Sequence, residues 1–477
     1  MEDVGKARST GPSVQDLLEA DTRPVPASLK DHSYELQGIA DVPKLRYTSH
    51  EFAALENEFM WTKTWQMACT IDEVAQPGDH VVYDVADQSL IVTRTKDGSI
   101  KAYYNSCLHR GTKLRVDDGR VASFRCPFHG WRWDLDGELV ELPAEWDFPQ
   151  VWQQADSCLP QAKVAEWCGF VFVNLDPDAI PFEQVANKLI EHFGRDFNMS
   201  NRYKAFHAVK EVPANWKVVM EAFAEGYHVI ATHPQILEFA GDANSEYSIW
   251  PESPFVTRFV NGFGLQSPHL GDLSEQQVAD AYLAFSARAA RGAVEVPEGS
   301  TARAVVADVF RSVMGPLYGK DLSQVSDSEM LDAHLYHLFP AFAPWAGTGQ
   351  SLVYRWRPGP TPDTCFMDVI RMMPVPEGKE RPAVAPIQRL RLEQKWTEAE
   401  GMSGLADVFE QDMANLPKVQ LGLKMTAKRA KKGVSFGVYQ EARMRLIHRH
   451  IDDCILEGLA ADGRSADELA PFIMPQG

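Results

Sequence analysis

The feature that most restricts what this 477-residue chain can fold into is a pair of short motifs. These are Cys107-Leu-His109 and Cys126-Pro-Phe-His129, with sixteen residues between them. Each offers one thiolate and one imidazole from a tight turn, so two loops have to meet around metal. Two readings of such a ligand set compete. A tetrahedral zinc ion would take all four, although the commoner zinc spacings pair cysteine with cysteine and histidine with histidine. A [2Fe–2S] centre of mixed ligation puts the two cysteines on one iron and the two histidines on the other. The interleaved order suits the second, because each loop then contributes one ligand to each iron. Arg110-Gly111 and Gly130-Trp131 follow the histidines, and glycine lets backbone approach a cluster closely. Cys69, Cys158, Cys168, Cys365 and Cys454 have no such partners and read as small buried hydrophobes.

The chain around these motifs has the texture of a small β domain. PGDHVVYDVADQSLIVTRTKDGSIKAYYNS carries turn signals at Pro77-Gly78-Asp79 and Asp97-Gly98. The apolar run Phe170–Leu175, followed by Asp-Pro-Asp, reads as a final strand and exit. Before the domain, residues 1–45 are rich in proline and charge and read as an extended arm, with VQDLLEAD able to form a short helix. SHEFAALENEFMWTKTW spaces Phe52, Leu55, Phe59 and Trp65 as a helix does, opened by Ser49 as N-cap. Beyond 178, helix-like segments (FEQVANKLIEHFG, WKVVMEAFAEGYHVI, SEQQVADAYLAFSARAA, SDSEMLDAHLYHLF) mix with strand-like ones (KAFHAVKEV, QSLVYRWRPG, TCFMDVIRMMPV). The expected architecture is α+β: an arm over 1–45, a β domain over 46–178 and a larger mixed domain over 179–477.

A second constellation lies in that larger domain. In EAFAEGYHVIATHP, Glu221, Glu225 and His228 fall at i, i+4 and i+7, one face of a helix. His233 is five beyond His228 and would point elsewhere on a regular helix. The two share a metal only if the helix is irregular or ends between them, and Pro234 supplies an ending. One buried histidine is ordinarily a satisfied core residue. Two histidines with a carboxylate make the facial triad of mononuclear non-haem iron(II), which leaves coordination positions open. The carboxylate is Glu225 or a remote residue, of which Asp412 in GLADVFEQDMANLPKVQLG is the best candidate. His448 and His450 are two apart on a helical segment and read as solvated.

Together these residues carry a resemblance. The chain is similar to the α subunit, the terminal oxygenase, of the Rieske-type non-haem iron aromatic-ring-hydroxylating oxygenases. The match runs from RYTSHEFAALENEFMWTKTWQMAC through NSCLHRGTKL, CPFHGWRWDLDG and WCGFVFVNLDP to NWKVVMEAFAEGYHVIATHP and FEQDMANLPKVQLGL. The resemblance implies that Cys107, His109, Cys126 and His129 hold the [2Fe–2S] cluster and that His228, His233 and Asp412 hold the catalytic iron. It implies a Rieske all-β domain followed by a helix-grip-like (START-related) catalytic domain with an antiparallel sheet. It also implies head-to-tail homotrimers, with or without a β subunit, in which one subunit's cluster faces its neighbour's iron. Glu225 would bridge the two as the electron-transfer residue. That position is usually aspartate in the ring-hydroxylating members, and glutamate there is similar to the members acting on quaternary amines.

The expected function is oxygenation. Electrons would come from NAD(P)H through a separate reductase, with or without a ferredoxin, since the chain shows no G-x-G-x-x-G dinucleotide turn. The substrate expected first is an aromatic or cyclic apolar molecule that is mono- or cis-dihydroxylated, lined by Phe223, Val229, Ile236 and the segment 337–345, with no clear charged anchor. Residues 266–330 would form a lid or a surface insertion. The alternatives are oxidative demethylation or hydroxylation of a quaternary amine or methoxylated compound, or an electron-transfer or sensor protein with no oxygenase activity. A net charge of −19 argues against nucleic acid as a partner. No uncharged apolar run approaches a membrane span, the N-terminus carries no secretory signal, and seven scattered cysteines suit a reduced cytoplasm.

Overall fold

The computed structural model describes residues 5–153, 157–286, 294–349, 351–402, 404–429 and 433–475. The chain folds as two compact units, one of residues 55–182 and one of residues 1–54 together with 183–477.

The 55–182 unit is built on a seven-stranded antiparallel sheet. Its strands lie in the order Gln66–Thr70, Phe170–Asn174, Gln161–Trp167, Ile100–Tyr104, Gln88–Arg94, Asp79–Val85 and Gly119–Arg120. All five residues of Phe170–Asn174 are buried, because that strand pairs on both edges and packs on both faces. Asp97-Gly98 turns the chain between two of these strands as its sequence suggests, with Gly98 at φ 92°. The neighbouring hairpin turns instead at Ala86, a non-glycine residue at φ 51°. A second sheet of Phe124–Arg125, Arg132–Trp133 and Leu139–Glu141 carries the Cys126–His129 loop as its first turn. Cys107 and Cys126 belong to the same buried cluster as Phe124, Trp131, Trp133 and Leu135.

The larger unit holds an eight-stranded sheet. The order is Glu246–Ile249, Val256–Asn261, Ala333–Leu338, Phe342–Ala346, Leu352–Pro358, Cys365–Pro374, Arg202–Val212 and Gln388–Leu390. Every pairing is antiparallel except the last. Asp368, on the longest central pairing, is buried among His207 at 2.8 Å, Arg355 at 2.6 Å and Arg357 at 3.2 Å. Burial alone would raise its carboxyl, and the two guanidinium groups and His207 hold it well below the usual range instead. Helices Glu275–Phe285 and Ala302–Tyr318 pack with Val229, Ile236 and Phe239 in one apolar cluster. No described helix is long and apolar enough to cross a membrane.

Several elements differ from expectation. SDSEMLDAHLYHLF is not one helix. A single turn, Asp327–Leu331, is followed by the strand Ala333–Leu338. All six strand residues are buried, so no alternation of polar and apolar residues marked it. The proline-rich start is not simply an extended arm. It forms the expected short helix, Val14–Glu19, with a Ser13/Asp16 capping box, and the Asp21 carboxylate accepts from the amides of Asp327 and Ser328. The helix expected over 274–290 runs Glu275–Phe285 from its Ser274 cap; its last expected residues, 287–290, lie outside the described residues. Cys158 is exposed, not buried. His448 and His450 are buried, not solvated, because the helix Ala442–Ala461 is packed around most of its circumference.

Candidate metal centres

In the 55–182 unit, two loops of the same design meet. The Cys107 amide donates to the Thr112 carbonyl at 2.9 Å and the Gly111 amide to the Cys107 carbonyl at 2.8 Å. The Cys126 amide donates to the Trp131 carbonyl at 2.8 Å and the Gly130 amide to the Cys126 carbonyl at 3.1 Å. Both loops close through a left-handed glycine, Gly111 at φ 79° and Gly130 at φ 81°, a conformation that is strained for any residue with a Cβ. The motif glycines are therefore turn formers that bring the two histidines together. The two imidazoles lie with centroids 4.7 Å apart, and His109 stacks on Trp131 at 5.0 Å.

The donor set fits a cluster. Burial pushes the Cys107 thiol up, and the adjacent Cys126 thiol pushes it further. Without a metal that environment keeps the thiols protonated, so two thiolates there need a shared positive centre to offset their burial. His109 Nδ1 is buried without any hydrogen-bond partner, the kind of orphan that a metal bond explains. His129 stands at the surface of the unit.

In the larger unit, the helix Trp216–Ala222 is capped by Asn215 and stops well before the histidines. Residues 223–228 form a turn, and Val229–Thr232 is a single helical turn closed by His233 at φ −126°, ψ 53°. The regular helix that would have put Glu221, Glu225 and His228 on one face is thus interrupted, and Glu225 and His228 sit in the interruption. The break lets both imidazoles turn to one point. His233 Nε2 lies 3.1 Å and His228 Nε2 3.7 Å from Asp412 Oδ1, and one ligand atom from each residue falls within 4.8 Å of the others. Asp412 and His233 are buried, with 6% and 4% of their side chains exposed, whereas His228 is 26% exposed.

Each imidazole is held by its other nitrogen. His228 Nδ1 faces Glu225 Oε1 at 2.7 Å, and the His228 amide donates to Glu225 Oε2 at 3.0 Å. Burial pulls the His228 pKa down, but the hydrogen bond and charge of Glu225 and the charge of Asp412 outweigh it and raise it. His233 Nδ1 faces Gln411 Oε1 at 2.7 Å, an oxygen that also accepts from Gln235 Nε2 at 2.7 Å. With both Nδ1 atoms engaged, both Nε2 lone pairs face the carboxylate, the arrangement in which histidine ligates a metal. Two histidines and one carboxylate match the non-haem iron(II) set. Glu221, offered by the sequence as a member of the same face, turns away into a buried cluster with Tyr47 at 2.9 Å and His448 at 2.8 Å.

A cavity of about 400 Å³ opens in the same unit, walled by Phe239, Phe263, Tyr282, Phe310, Trp345 and Arg371 among others. Leu405, at the start of the nine-residue helix that carries Asp412, also lines it. Of the lining expected from sequence, Trp345 is present. Phe223 packs on Tyr354, Trp356 and Phe409, and Val229 and Ile236 lie in the same apolar cluster as Phe239, Tyr282 and Phe310 of the wall. The helices of 266–330 supply one wall through Tyr282 and Phe310. Among the described lining residues Arg371 alone is charged, and its Nη1 and Nη2 donate to the Gly401 and Met402 carbonyls at 3.2 and 3.3 Å. The sequence did not reveal this charge. Gln411 was equally hidden, though its place next to Asp412 was the signal that could have found it.

The family comparisons agree with this geometry. Residues 64–152 match the model of the Rieske [2Fe-2S] domain, and residues 199–457 that of the ring hydroxylating alpha subunit catalytic domain. The carnitine monooxygenase oxygenase subunit of Acinetobacter pittii is 34% identical over 194 residues, 40% of this chain and 52% of that protein. The chlorobenzene dioxygenase subunit alpha of Cupriavidus sp. is 30% identical over 230 residues, 45% of this chain and 50% of that protein. The chain thus spans about half the length of the curated relatives it matches. A quaternary ammonium Rieske monooxygenase in complex with L-carnitine shares the fold with a TM-score of 0.56 at 19% identity, covering 88% of this chain and 96% of that one. Naphthalene 1,2-dioxygenase with indole bound does so with a TM-score of 0.59 at 17% identity, covering 91% and 97%. The chain belongs to the ring-hydroxylating oxygenase alpha-subunit family and joins a Rieske [2Fe–2S] domain to a mononuclear non-haem iron catalytic domain.

Proposed function

We propose that this chain is the terminal oxygenase of a multicomponent system, receiving NAD(P)H-derived electrons from a separate reductase, with or without a ferredoxin. Its substrate is a small ring-bearing organic molecule. The observation that carries the reading is the convergence of His228, His233 and Asp412 with both Nδ1 atoms occupied. An electron carrier or sensor needs the cluster loops alone and has no use for this second site.

When bound, the cluster supplies one-electron storage at Cys107, His109, Cys126 and His129, and the iron supplies O₂ activation at His228, His233 and Asp412. Hydroxylation of a C–H bond consumes O₂, two electrons and two protons and releases water; cis-dihydroxylation consumes the same and keeps both oxygen atoms on the ring. The residues of this chain do the rest. Glu225 and Gln411 fix the histidine tautomers, the aromatic wall excludes water and orients a ring, and Arg371, held by the Gly401 and Met402 carbonyls, supplies a positive charge that favours a negatively charged substituent. Glu225 also links His228 to His129 of the partner subunit in a head-to-tail homotrimer. Support for that assembly lies in the large apolar side chains exposed beside each centre: Leu108 and Phe128 at the cluster loops, Tyr227 and Ile230 at the iron loop.

A second substrate class, quaternary amines, is favoured by Glu225 standing where ring-hydroxylating members carry aspartate, and by the carnitine monooxygenase relative. Turnover of the reconstituted protein with NADH, a surrogate reductase, O₂ and a panel of aromatic and quaternary-ammonium compounds tests the proposal. Oxygenated product from either group supports it; NADH-dependent cluster reduction with no product from any compound contradicts it.

A further inference from the structure

The peptide groups on either side of Glu225 are each gripped by a buried side chain from elsewhere in the same unit. The Ala224 carbonyl accepts from Arg443 Nη1 at 3.0 Å, and the Gly226 amide donates to the Tyr247 hydroxyl at 3.0 Å. Both gripping residues are about 1% exposed. Tyr247 is itself wedged, stacked on Phe259 at 5.2 Å and edge-on to Tyr439 at 5.3 Å. Between them the chain is tight, since a Cβ on Gly226 would meet Phe259 and Ser245 at 3.3 Å.

Arg443 is the more telling of the two. Its Nε donates to Thr257 Oγ1 at 2.9 Å, while its Nη2 is buried with no acceptor. Burial pushes its pKa down to about 9, with only Tyr247 acting against it, and it pairs with no carboxylate among the described residues. A buried guanidinium without a counter-ion is expensive, and an apolar residue of similar volume is ordinarily no worse for stability. What an apolar residue cannot do is hold the Ala224 carbonyl and the Thr257 strand with one rigid fork.

We infer that Arg443 and Tyr247 are positioning residues for Glu225, clamping both of its flanking peptides so that its carboxylate keeps the reach from His228 toward the partner subunit. The inference rests on the proposed bridging role of Glu225. Catalytic geometry is sensitive on this scale, a misplacement of ~1 Å costing up to about a hundredfold in rate.

Three variants test it in the loaded enzyme: Tyr247→Phe, Arg443→Met and, for rescue, Arg443→Lys, with Glu225→Ala alongside. The readouts are cluster reoxidation by O₂ in a single turnover with substrate, iron and cluster content, substrate Kd, and hydrogen–deuterium exchange of a peptide covering 223–228. Tyr247→Phe and Arg443→Met should slow reoxidation by about tenfold to a hundredfold, with both metals full, Kd within about twofold and faster exchange in that peptide. Arg443→Lys should recover part of the rate. Adding Tyr247→Phe to Glu225→Ala should slow reoxidation no further, because the two act through one carboxylate. A wild-type rate in Tyr247→Phe and Arg443→Met beside a slow Glu225→Ala would overturn the clamp alone. Iron loss in proportion to the slowing, at saturating Fe(II), would overturn it too, by reassigning both residues to the metal loop. A wild-type rate in Glu225→Ala would remove the bridge, and the clamp with it.

Discussion

Removing the amide that holds His233 should loosen iron binding without abolishing it. Gln411 Oε1 lies 2.7 Å from His233 Nδ1, and Gln411→Leu deletes that acceptor with little change of volume. The hydrogen bond itself is worth about 1 kcal/mol net. Freeing the ring to adopt either tautomer costs a further ~0.4 kcal/mol, or RT ln 2, when only one can ligate. Together these come to ~1.4 kcal/mol, about tenfold in affinity, at the low end of the 10–100-fold known for such supporting residues. On the other histidine the partner is a carboxylate at 2.7 Å. Charge-assisted bonds are roughly twice as strong, so Glu225→Leu should cost about 2–3 kcal/mol, or roughly 30- to 150-fold. The assay is an anaerobic Fe(II) titration against a competing chelator, with the visible spectrum of the cluster as internal control. The reasoning fails if the two variants rank in the opposite order, if neither weakens iron, or if the cluster is lost in step.

The other expected outcomes are these. Asp412→Ala should empty the iron site and end product formation while the cluster spectrum stays intact, as metal analysis and absorbance would show; retained iron would pass the ligand role to another residue. Arg371→Met should raise KM for an aromatic carboxylate by at least about tenfold, the worth of one hydrogen bond to a charged group, and leave its neutral amide analogue unaffected; equal effects on both would remove Arg371 from substrate binding. Thermal stability should peak near pH 6.5. Burial holds His334 and His337 down to about 4 and about 3, so as pH falls below 6.5 the unfolded chain gains protons that the folded one refuses, and stability drops. Burial pushes Glu221 up to about 8, so the folded protein keeps a proton that the unfolded chain releases, and this contribution is lost as pH rises toward 8. A Tm that climbs steadily from pH 6.5 to 8.5 would contradict that balance.

What could be read from the chain alone follows the range of the interactions. The cluster loops were legible because each pairs its ligands within a few residues, and the Gly111 and Gly130 turns that aim them are local too. His228 and His233 were legible as a pair for the same reason, with Pro234 marking the ending that brings them together. Asp412 lies far along the chain; its segment makes it a candidate beside Glu225, and only the family pattern chooses between them. Gln411, Tyr247 and Arg443 act through bonds that exist only after folding; the place beside Asp412 marks Gln411, and nothing in the neighbourhoods of Tyr247 and Arg443 sets them apart. The strand Ala333–Leu338 was mistaken for helix because a strand buried on both faces loses its alternation. The buried His448 was mistaken for a solvated residue because its partners, Tyr47 and Glu221, come from two distant segments. Arg371 was passed over because its strand reads as an apolar ladder, and only the cavity gives that single charge a meaning.

The claim at the centre of this account is that one chain stores the electron and oxygenates the substrate. It is tested most directly by a single turnover. Cluster-reduced, iron-loaded protein, free of reductase and NAD(P)H, is mixed with a turned-over substrate and ¹⁸O₂, and the product is weighed by mass spectrometry. The account predicts product bearing one ¹⁸O for hydroxylation or two for cis-dihydroxylation, in an amount proportional to cluster oxidised, and none from Asp412→Ala with its cluster equally reduced. Cluster oxidation with no labelled product, or labelled product from Asp412→Ala, would contradict it.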